Sequence, residues 1–387
     1  MKSEWTYRPL GELVSFASGG TPSKKRDDYW GGTIPWISAK TLKTENIDTS
    51  DLFITEEGLK AGSKIAPKGS ILLLTRGSGL FNGIPIARVE KDVAFNQDIK
   101  CLDSYGEVEN EFIFYWLLSQ KDYLMAKVGV TGIGAGKFDL DFLQKLMIPI
   151  PSERERKSIV GFASSISEKI RCNAKVNDNL ADLLQTIYQG RFGNDILAVN
   201  QGVLSDICSY STDKVAVSEL NVRTYFSTEN MLSGKAGSTE ATSLPTTSQT
   251  TACHKGDTLI SNIRPYFKKI VYCEDKCGCS TDVLCFTPSQ PCYSAYLFST
   301  LYADKFFAFM VAGSKGTKMP RGDKQQIMTY PVVLPSEEEL AGFNTIASPL
   351  LEQIYSNRAE NKRLSILRDT LLPKLMSGEI NVSAIQL

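Results

Sequence analysis

A heptad pattern that occurs twice constrains this chain more than any other feature. It follows Ser152 and, 184 residues later, Ser336; acidic residues come next in both copies, which predicts two helix N-caps. A period of 3.5 residues kept over about four heptads predicts a long helix whose narrow apolar seam packs on another helix. Each copy needs a partner, so we expect the two copies to pair. The seam positions are Ile159, Ala163, Ile166, Ile170, Asn173, Asn177, Leu180, Leu184 and Ile187 in the first copy, and Phe343, Ala347, Leu350, Ile354, Asn357, Asn361, Leu364, Arg368 and Leu371 in the second.

Polar residues interrupt the seam at matching steps. Asn173 and Asn177 of the first copy correspond to Asn357 and Asn361 of the second. A buried asparagine destabilises a helix pair unless it meets another polar group, so these four residues predict a register in which polar layers coincide. Two unrelated surface helices of large domains are the alternative interpretation.

The rest of the chain also repeats. At 387 residues it is too long for one ordinary core. The run Leu10–Leu13 has a counterpart in Leu204–Ile207, and Pro67–Leu73 has one in His254–Ile260. We therefore predict an α+β protein with a pseudo-twofold tandem repeat, in which two similar globular domains are separated by two long helices that pair as an antiparallel coiled coil. The predicted bounds are 1–150 for the first globular domain, 151–192 for the first long helix, 193–334 for the second globular domain, and 335–387 for the second long helix with a tail.

Short elements are also expected inside the globular domains. Two glycine-rich stretches, 19–32 and 128–137, are predicted to be loops. The predicted strands are Ile34–Ile37, Ile71–Thr75, Ile84–Val89, Val93–Phe95 and Leu146–Pro151, and the predicted helices are Asn110–Leu118 and Tyr293–Leu301.

The composition restricts the class of protein. Lysine plus arginine and aspartate plus glutamate both total 43, which argues against non-specific coating of nucleic acid but leaves local basic loops open. The chain has no apolar run of 18 residues, and Met1–Trp5 has no signal-peptide character, so we expect a cytoplasmic protein with no membrane contact. Its nine cysteines are then expected to be reduced thiols.

Signals of catalysis are weak. Gly132–Lys137 does not fit a phosphate-binding loop, because Phe138 stands where the loop needs serine or threonine. Asn262–Tyr266 only faintly resembles an amino-methyltransferase motif, and His254 is the single histidine. The cysteines from 253 to 285 lack the paired CxxC spacing of common zinc sites. We expect no catalytic residue, no metal and no cofactor in this chain.

Several motifs occur in a characteristic order. They are Gly19–Ser23 with Tyr29–Ile37, Gly69–Leu72, Ile148–Pro151 leading into the first long helix, and Leu375–Ile380 at the end of the second. With them the chain resembles the DNA specificity subunit of type I restriction-modification systems over nearly its whole length.

The resemblance implies a division of labour. Each globular domain would be a target recognition domain that reads half of a split sequence in double-stranded DNA. The helix pair would act as spacer and as docking surface for two methyltransferase subunits, and motor and nuclease subunits would complete the complex. This chain would be non-catalytic, since its partners supply adenine methylation and DNA cleavage. A helix of about 38 residues is about 57 Å long, enough to separate two readers by a duplex turn or more.

Basic and aromatic residues in loops are the candidates for DNA contact, because phosphate contacts position a reader and side chains at base edges read sequence. The candidates are Lys24, Lys25, Arg26, Tyr29, Arg76 and Lys137 in the first domain, and Arg264, Tyr266, Lys268, Lys269, Lys315, Lys318 and Arg321 in the second.

Two other hypotheses stay open. The neutral overall charge is compatible with a structural scaffold that joins two partner proteins through the duplicated helices without reading DNA. The third hypothesis is a hydrolase, which cleavage or modification of DNA by the purified chain alone would support.

Overall fold

The computed structural model describes residues 5–132, 134–193 and 200–381. Two compact units divide the chain: unit 1 comprises Met1–Arg171 and Asn361–Leu387, and unit 2 comprises Cys172–Glu360. Sequence predictions also fall on four stretches that lie outside the described residues: 1–4, 133, 194–199 and 382–387. No helix in the described ranges is both long and apolar enough to span a membrane.

Unit 1 is built around mixed sheets. Its five-stranded sheet has the order Val14–Ser18, Ile99–Ser104, Ile71–Leu74, Ile86–Val89 and Asn46–Ile47, and a four-stranded sheet has the order Phe53–Ile54, Trp30–Ile37, Val93–Phe95 and Lys64–Ala66. The remaining strands are Thr6–Pro9 paired with Met147–Ile150, and Gly129–Val130, Gly136–Lys137 and Arg76–Gly77 in a three-stranded sheet. The short helices are Leu10–Leu13, Glu56–Gly62, Asn110–Ser119, Lys121–Met125 and Leu140–Gln144, with 3-10 turns at Asp27–Tyr29 and Ser78–Asn82.

Unit 2 repeats the central strand order. One four-stranded sheet has the order Cys208–Tyr210, Val283–Pro288, Thr258–Ser261 and Ile270–Tyr272. A second four-stranded sheet has the order Lys214–Ala216, Gln249–Cys253, Cys277–Cys279 and Tyr225–Phe226. In addition, Gln201–Val203 pairs with Pro331–Val333. The short helices are Leu204–Ile207, Ser294–Tyr302, Asp304–Ala312 and Lys324–Met328, with 3-10 turns at Val217–Glu219, Pro265–Phe267 and Pro291–Tyr293.

The central strands are buried on both faces, and the polar residues Thr258 and Ser261 of the unit 2 strand are buried together with the apolar ones. Ile71–Leu74 is buried at all four positions, and so is its counterpart Thr258–Ser261. The helices Asn110–Ser119 and Ser294–Tyr302 begin and end within one residue of the predicted bounds and bury seven residues each. These elements give each unit its own hydrophobic core.

Parts of the two glycine-rich stretches predicted to be loops form strands, namely residues 30–32 of the first and residues 129–130 and 136–137 of the second. Trp30–Ile37 includes Gly31 and Gly32, and a Cβ at Gly32 would lie 2.4 Å from the Ile54 carbonyl oxygen. Gly136 also belongs to a strand, and a Cβ there would lie 2.9 Å from the Leu80 Cβ. At these positions the loop prediction was wrong, because these glycines permit close backbone approach between strands instead of interrupting them.

Two helices of 40 residues each, Glu153–Phe192 and Glu337–Met376, follow the globular regions. Their predicted N-caps are confirmed. The Ser152 amide donates to the Glu155 carboxylate at 3.1 Å, and the Ser336 amide donates to the Glu339 carboxylate at 2.8 Å. The return bonds, from the Glu155 and Glu339 amides to the serine hydroxyls, measure 3.4 and 3.3 Å. Both helices therefore begin with a capping box.

The helical segments pair in opposite directions within each unit. In unit 1 the early part of the first helix shares a core with the late part of the second, and in unit 2 the late part of the first shares a core with the early part of the second. Within each unit, residues later in the first helix bond residues earlier in the second, so the paired segments are antiparallel: Ser167 bonds Arg368 and Ile170 bonds Asn361 in unit 1, and Asn173 bonds Glu360 and Asn177 bonds Asn357 in unit 2. The shared-core residues are Ile159, Phe162, Ala163, Ile166, Leu372, Leu375 and Met376 in unit 1, and Leu184, Tyr188, Phe192, Leu340, Phe343, Ala347 and Leu351 in unit 2.

One seam position of unit 1 carries a buried charge. Arg368 is at the repeat position of Leu184, and only 8% of its side chain is exposed. Its guanidinium forms two bonds with the Glu45 carboxylate, at 2.6 and 3.0 Å, and donates to the Ser167 hydroxyl at 3.1 Å. Burial favours the protonated carboxyl of Glu45, but Arg368 and Lys121 outweigh that effect, so the pKa of Glu45 is lowered.

Candidate nucleic-acid interface

Two candidate cations of unit 1 lie on neighbouring strands. Arg76 and Lys137 are directly opposite each other in an antiparallel pairing, and both are exposed. The Arg76 amide donates to the Asp98 carbonyl at 3.2 Å, and the Phe138 amide donates to the Thr75 carbonyl at 2.9 Å. Within the described residues neither cation has an ion-pair partner. We call Arg76 and Lys137 the unit 1 cation pair.

The position of this pair has an electrostatic cost. Like charges directly opposite on a sheet destabilise the pairing. A phosphate close to both would remove the repulsion and form charge-assisted hydrogen bonds. The pair thus has the chemistry of an anion-binding surface.

Unit 2 has the same backbone arrangement. Ile263 and Arg321 form the matching bridge, so a single cation replaces the pair. The Asn262 amide donates to the Asp282 carbonyl at 2.8 Å, and the Gly322 amide donates to the Asn262 carbonyl at 3.3 Å. The two units therefore present basic residues at equivalent places in a shared strand order.

The basic loop near the start of unit 1 is partly neutralised. Arg26 makes two bonds with Asp28, at 2.8 and 2.6 Å, and its guanidinium lies 4.9 Å from the centre of the Tyr29 ring. The bond from Arg26 lowers the pKa of Asp28. Lys24 and Lys25 are exposed and have no ion-pair partner in the described ranges. Among the described contacts, none joins this loop to the unit 1 cation pair.

The two basic loops predicted in unit 2 meet. Lys315 and Arg321 exchange backbone hydrogen bonds of 2.9 and 3.0 Å. The Arg264 amide donates to the Pro320 carbonyl at 2.8 Å, and its guanidinium approaches the Lys318 carbonyl at 3.5 Å. Residues that are far apart in sequence are thus gathered on one surface of unit 2.

Three of the six candidate cations of unit 2 have an internal carboxylate partner among the described residues. Lys318 is exposed and has none in the described part of the chain. Lys269 donates to the Thr228 carbonyl at 2.5 Å, and burial lowers its pKa. The ion pairs are Arg321–Asp282 at 3.0 Å, Lys315–Asp323 at 2.6 Å and Lys268–Asp304 at 2.9 Å.

Sequence reasoning missed two exposed apolar neighbours of these cations. Phe267 follows the candidate Tyr266, and their side chains are 38% and 50% exposed. Met319 follows Lys318 and is 51% exposed. The detectable signal was an apolar residue inside a polar loop, which is weak because single exposed apolar residues are common.

The four seam asparagines have these hydrogen bonds. Asn357 donates to the Asn177 side-chain oxygen at 2.9 Å. Asn173 donates to the Glu360 carboxylate at 2.7 Å, and Asn361 donates to the Ile170 carbonyl at 3.1 Å. Asn177 and Asn357 thus form a direct polar layer in unit 2, which fixes the local register of the antiparallel segments.

Five cysteines lie in one buried cluster of unit 2, and Cys273 and Cys277 have their sulfur atoms 3.5 Å apart. In the described ranges, no group of three or more potential ligand side chains is arranged to hold a metal ion. The five thiols pack with aliphatic side chains and Met231 as part of the core. The cysteines are Cys253, Cys273, Cys277, Cys279 and Cys285.

Comparison with known proteins gives a consistent result. Residues 2–181 match the type I restriction modification DNA specificity domain. The specificity subunit of the EcoR124I/EcoR124II type I restriction enzyme of Escherichia coli is 31% identical over 161 residues, which are 41% of this chain and 40% of that protein. The specificity subunit of the MjaIX type I restriction enzyme of Methanocaldococcus jannaschii is 24% identical over 98% of this chain and 94% of its own length.

The fold also has a solved counterpart. The crystal structure of the type I restriction-modification S subunit from M. genitalium superimposes with a TM-score of 0.54 at 19% identity. That comparison covers 97% of this chain and 96% of the other. The likeness supports the two-domain α+β fold with long helices that the sequence predicted.

Proposed function

We propose that this chain, whose residues 2–181 match the type I restriction modification DNA specificity domain, supplies DNA sequence specificity to a type I restriction-modification complex. The target would be bipartite, with one half-site read by each unit. One observation carries the proposal: both units place cations at equivalent strand ends, the unit 1 cation pair in one and Arg321 in the other. Phosphate contacts there would position loops that reach base edges.

The partners follow from the same proposal. Two methyltransferase subunits would bind the long helices, and motor and nuclease subunits would join them. Methylation and cleavage would be reactions of those partners, and this chain would act by binding alone. Ile366 and Leu367 are consecutive on the second long helix and are 49% and 45% exposed, which makes this part of the helix a candidate docking surface.

Genome-wide mapping of adenine methylation tests the proposal. Cells with the full complex are compared with cells in which only this chain is deleted. We expect one split, asymmetric sequence to be methylated only when the chain is present. Unchanged methylation after deletion would refute the proposal, and binding of partners without sequence preference would support the scaffold hypothesis instead.

Binding measurements test the role of the cations. The double variant Arg76→Ala/Lys137→Ala, assembled with methyltransferase subunits, is expected to bind the mapped duplex more weakly at every salt concentration tested. The matched control is Lys60→Ala/Lys91→Ala, which removes two exposed lysines outside the candidate set. Equal affinities for the two double variants would contradict phosphate contact by the unit 1 cation pair.

The helix length is proposed to set the unread spacer of the target. A heptad inserted after Asn177 must be matched by one between Ser356 and Asn357, since Asn177 bonds Asn357 in an antiparallel pair. This design keeps that polar layer and the seam phase. We expect methylation to move to a site with the same half-sites and a longer spacer. If the insertion variant methylates the original site, the helices do not set the spacer.

A further inference from the structure

The turn between two central strands of unit 2 exposes a pair of aromatic rings. Tyr266 and Phe267 lie on the 3-10 turn that joins Thr258–Ser261 to Ile270–Tyr272, with ring centres 4.8 Å apart. They are 50% and 38% exposed. We call these two residues the aromatic tip. Exposed aromatic rings carry a hydration cost, which binding to another flat apolar surface removes.

The backbone of the tip is held in an unusual conformation. Arg264 and Lys268, which flank the turn, have φ angles of 51° and 50°, in the left-handed region that side chains disfavour. Such residues persist only when their surroundings fix them, and they are concentrated at functional sites. The tip is therefore specified by its surroundings as well as by its own sequence.

Those surroundings are visible in the hydrogen bonds. The Gly234 amide donates to the Phe267 carbonyl at 2.8 Å, and the Lys235 amide donates to the Lys268 carbonyl at 2.9 Å. The Lys235 and Lys268 ammonium groups both bind the Asp304 carboxylate, at 2.7 and 2.9 Å. The segment that contains Gly234 and Lys235 thus binds the backbone carbonyls of the turn. These bonds make the aromatic tip rigid before any ligand binds.

The charge around the tip favours one kind of ligand. Arg264 adjoins the turn and is bonded to the Lys318–Met319 loop through the Lys318 and Pro320 carbonyls. This places an exposed lysine and the exposed Met319 on the loop that meets the base of the tip. Aromatic and methionine side chains next to cations suit a ligand with stacked flat rings and a polyanionic backbone, which describes duplex DNA.

We propose that the aromatic tip is a wedge that enters the DNA at one base step of the half-site bound by unit 2 and partly unstacks it. The inference rests on the proposed function, because it concerns how that DNA is read. Specificity at this step would come from the ease of deformation. Pyrimidine–purine steps unstack readily, so they would be preferred there.

The equivalent turn of unit 1 lacks this construction. Phe81 is 44% exposed on the turn Ser78–Asn82, but the flanking residues with positive φ are Gly77 and Gly83. Glycine adopts such angles without steric cost, so no comparable constraint holds a side chain rigid. The wedge is thus a property of unit 2.

The test uses the full chain assembled with methyltransferase subunits. The probe is a duplex with the mapped bipartite site, in which 2-aminopurine replaces adenine at successive steps of the unit 2 half-site. We expect the wild-type complex to raise the fluorescence at one step, because unstacking relieves quenching. The variant Tyr266→Ser/Phe267→Ser is expected to abolish this rise and to weaken binding about tenfold or more.

Two control variants guard against a folding defect. Tyr266→Phe keeps the ring and is expected to retain the fluorescence rise. Tyr105→Ser removes an aromatic side chain of unit 1 that is 68% exposed, and it is expected to change neither fluorescence nor affinity. A destabilised base pair placed at the wedge step should strengthen binding of the wild type and not of the double serine variant.

The outcomes separate the wedge from the proposed function. Sequence-specific binding with no fluorescence rise at any step would overturn the wedge and leave the proposed function intact. Failure of the double serine variant to assemble with methyltransferase subunits would identify the tip as a protein-docking surface and overturn the wedge. If even the wild-type complex binds the mapped duplex without sequence preference, both proposals fail.

Discussion

Units 1 and 2 share a strand order but distribute their charges differently. In unit 1 Arg76 and Lys137 face each other without internal partners among the described residues. In unit 2 the matching bridge joins Ile263 to Arg321, and Arg321 is paired with Asp282 at 3.0 Å. The backbone arrangement therefore fixes where a cation is displayed, while the local carboxylates decide how much of its charge is available to a ligand.

The helix seam shows the same contrast in a buried setting. Leu184 in unit 2 is 1% exposed among apolar side chains. Its repeat counterpart Arg368 is also buried in unit 1, but Glu45 supplies a carboxylate. One heptad position thus accepts an apolar or a charged residue according to what the globular part of its own unit offers. Equivalent positions of the sequence repeat can therefore carry side chains of different polarity.

Exchanging the two seam residues should give the largest effect. Leu184→Arg places an unpaired charge in an apolar core and is expected to lower the free energy of unfolding by about 4 kcal/mol. Arg368→Leu leaves Glu45, which is 28% exposed, with Lys121 at 3.2 Å as its remaining cation, so the expected loss is smaller, about 1–2 kcal/mol. Urea unfolding followed by circular dichroism measures both. Ile366→Arg, at a position that is 49% exposed, is the control, and equal losses for both seam variants would erase the contrast.

Removing the counter-charge should affect unit 1 at neutral pH. Glu45→Gln leaves the buried Arg368 with the exposed Asp369, at 2.9 Å, as its one carboxylate partner among the described residues, and the expected loss of stability is about 2–3 kcal/mol. Because the pKa of Glu45 is lowered in the folded state, its contribution is complete above its unfolded-state pKa and is lost as pH falls through the folded value. Unfolding measured from pH 7 down to pH 3 should therefore show a smaller acid-dependent loss in Glu45→Gln than in the wild type. Parallel curves would contradict this ion-pair linkage.

The polar layer of unit 2 should have a moderate effect. Asn357→Leu leaves the Asn177 amide facing an apolar group and is expected to cost about 1–3 kcal/mol. The double variant Asn177→Leu/Asn357→Leu should lose less than the sum of the two single variants, because neither asparagine then leaves the other buried without its partner; Gln353, which donates to the Asn357 side-chain oxygen at 2.8 Å, loses that acceptor equally in the single and the double variant. A thermodynamic cycle of urea unfolding measures this coupling. Strict additivity would show that the 2.9 Å bond does not link the two residues energetically.

Substitutions of basic residues in the two units should have the smallest effects on free energy. Their clearest effect should be on the salt dependence of DNA binding. Arg76→Ala/Lys137→Ala is expected to reduce the slope of log affinity against log salt by about 2, close to 0.9 for each phosphate contact. Lys315→Ala/Arg321→Ala should reduce it by less, because Asp323 and Asp282 already bind those cations. Filter binding or fluorescence anisotropy over a salt series measures both slopes. A larger change for the unit 2 variant would reverse the comparison.

Local patterns predicted much of the fold. Heptad spacing predicted both long helices, and serine followed by acidic residues predicted their capping boxes, since both depend on residues within a few positions of each other. The glycine-rich stretch 128–137 was misjudged because a glycine that interrupts a strand and one that permits close approach of a neighbouring strand look alike in sequence. The surroundings of Gly136, with Leu80 close to it, come from elsewhere in the chain.

The candidate site was predicted less completely. Its basic residues could be named because charge in a loop is visible in sequence. The opposition of Arg76 to Lys137, the internal partners of Arg321 and Lys315, and the rigid exposure of Phe267 could not be predicted. Each depends on strand register or on ion pairs between residues that are distant in the chain.

The sequence by itself determined that two like-built halves alternate with two long helices, because repetition and period are properties of residue order. Only the tertiary structure decided which cations keep their charge available and which seam residue is compensated, as Arg368 is by Glu45. The physical reason is that the two kinds of property depend on residues at different separations along the chain. Helix period, caps and turns depend on neighbours in the chain, whereas the electrostatic environment of a side chain depends on every group that folding brings within a few ångströms of it.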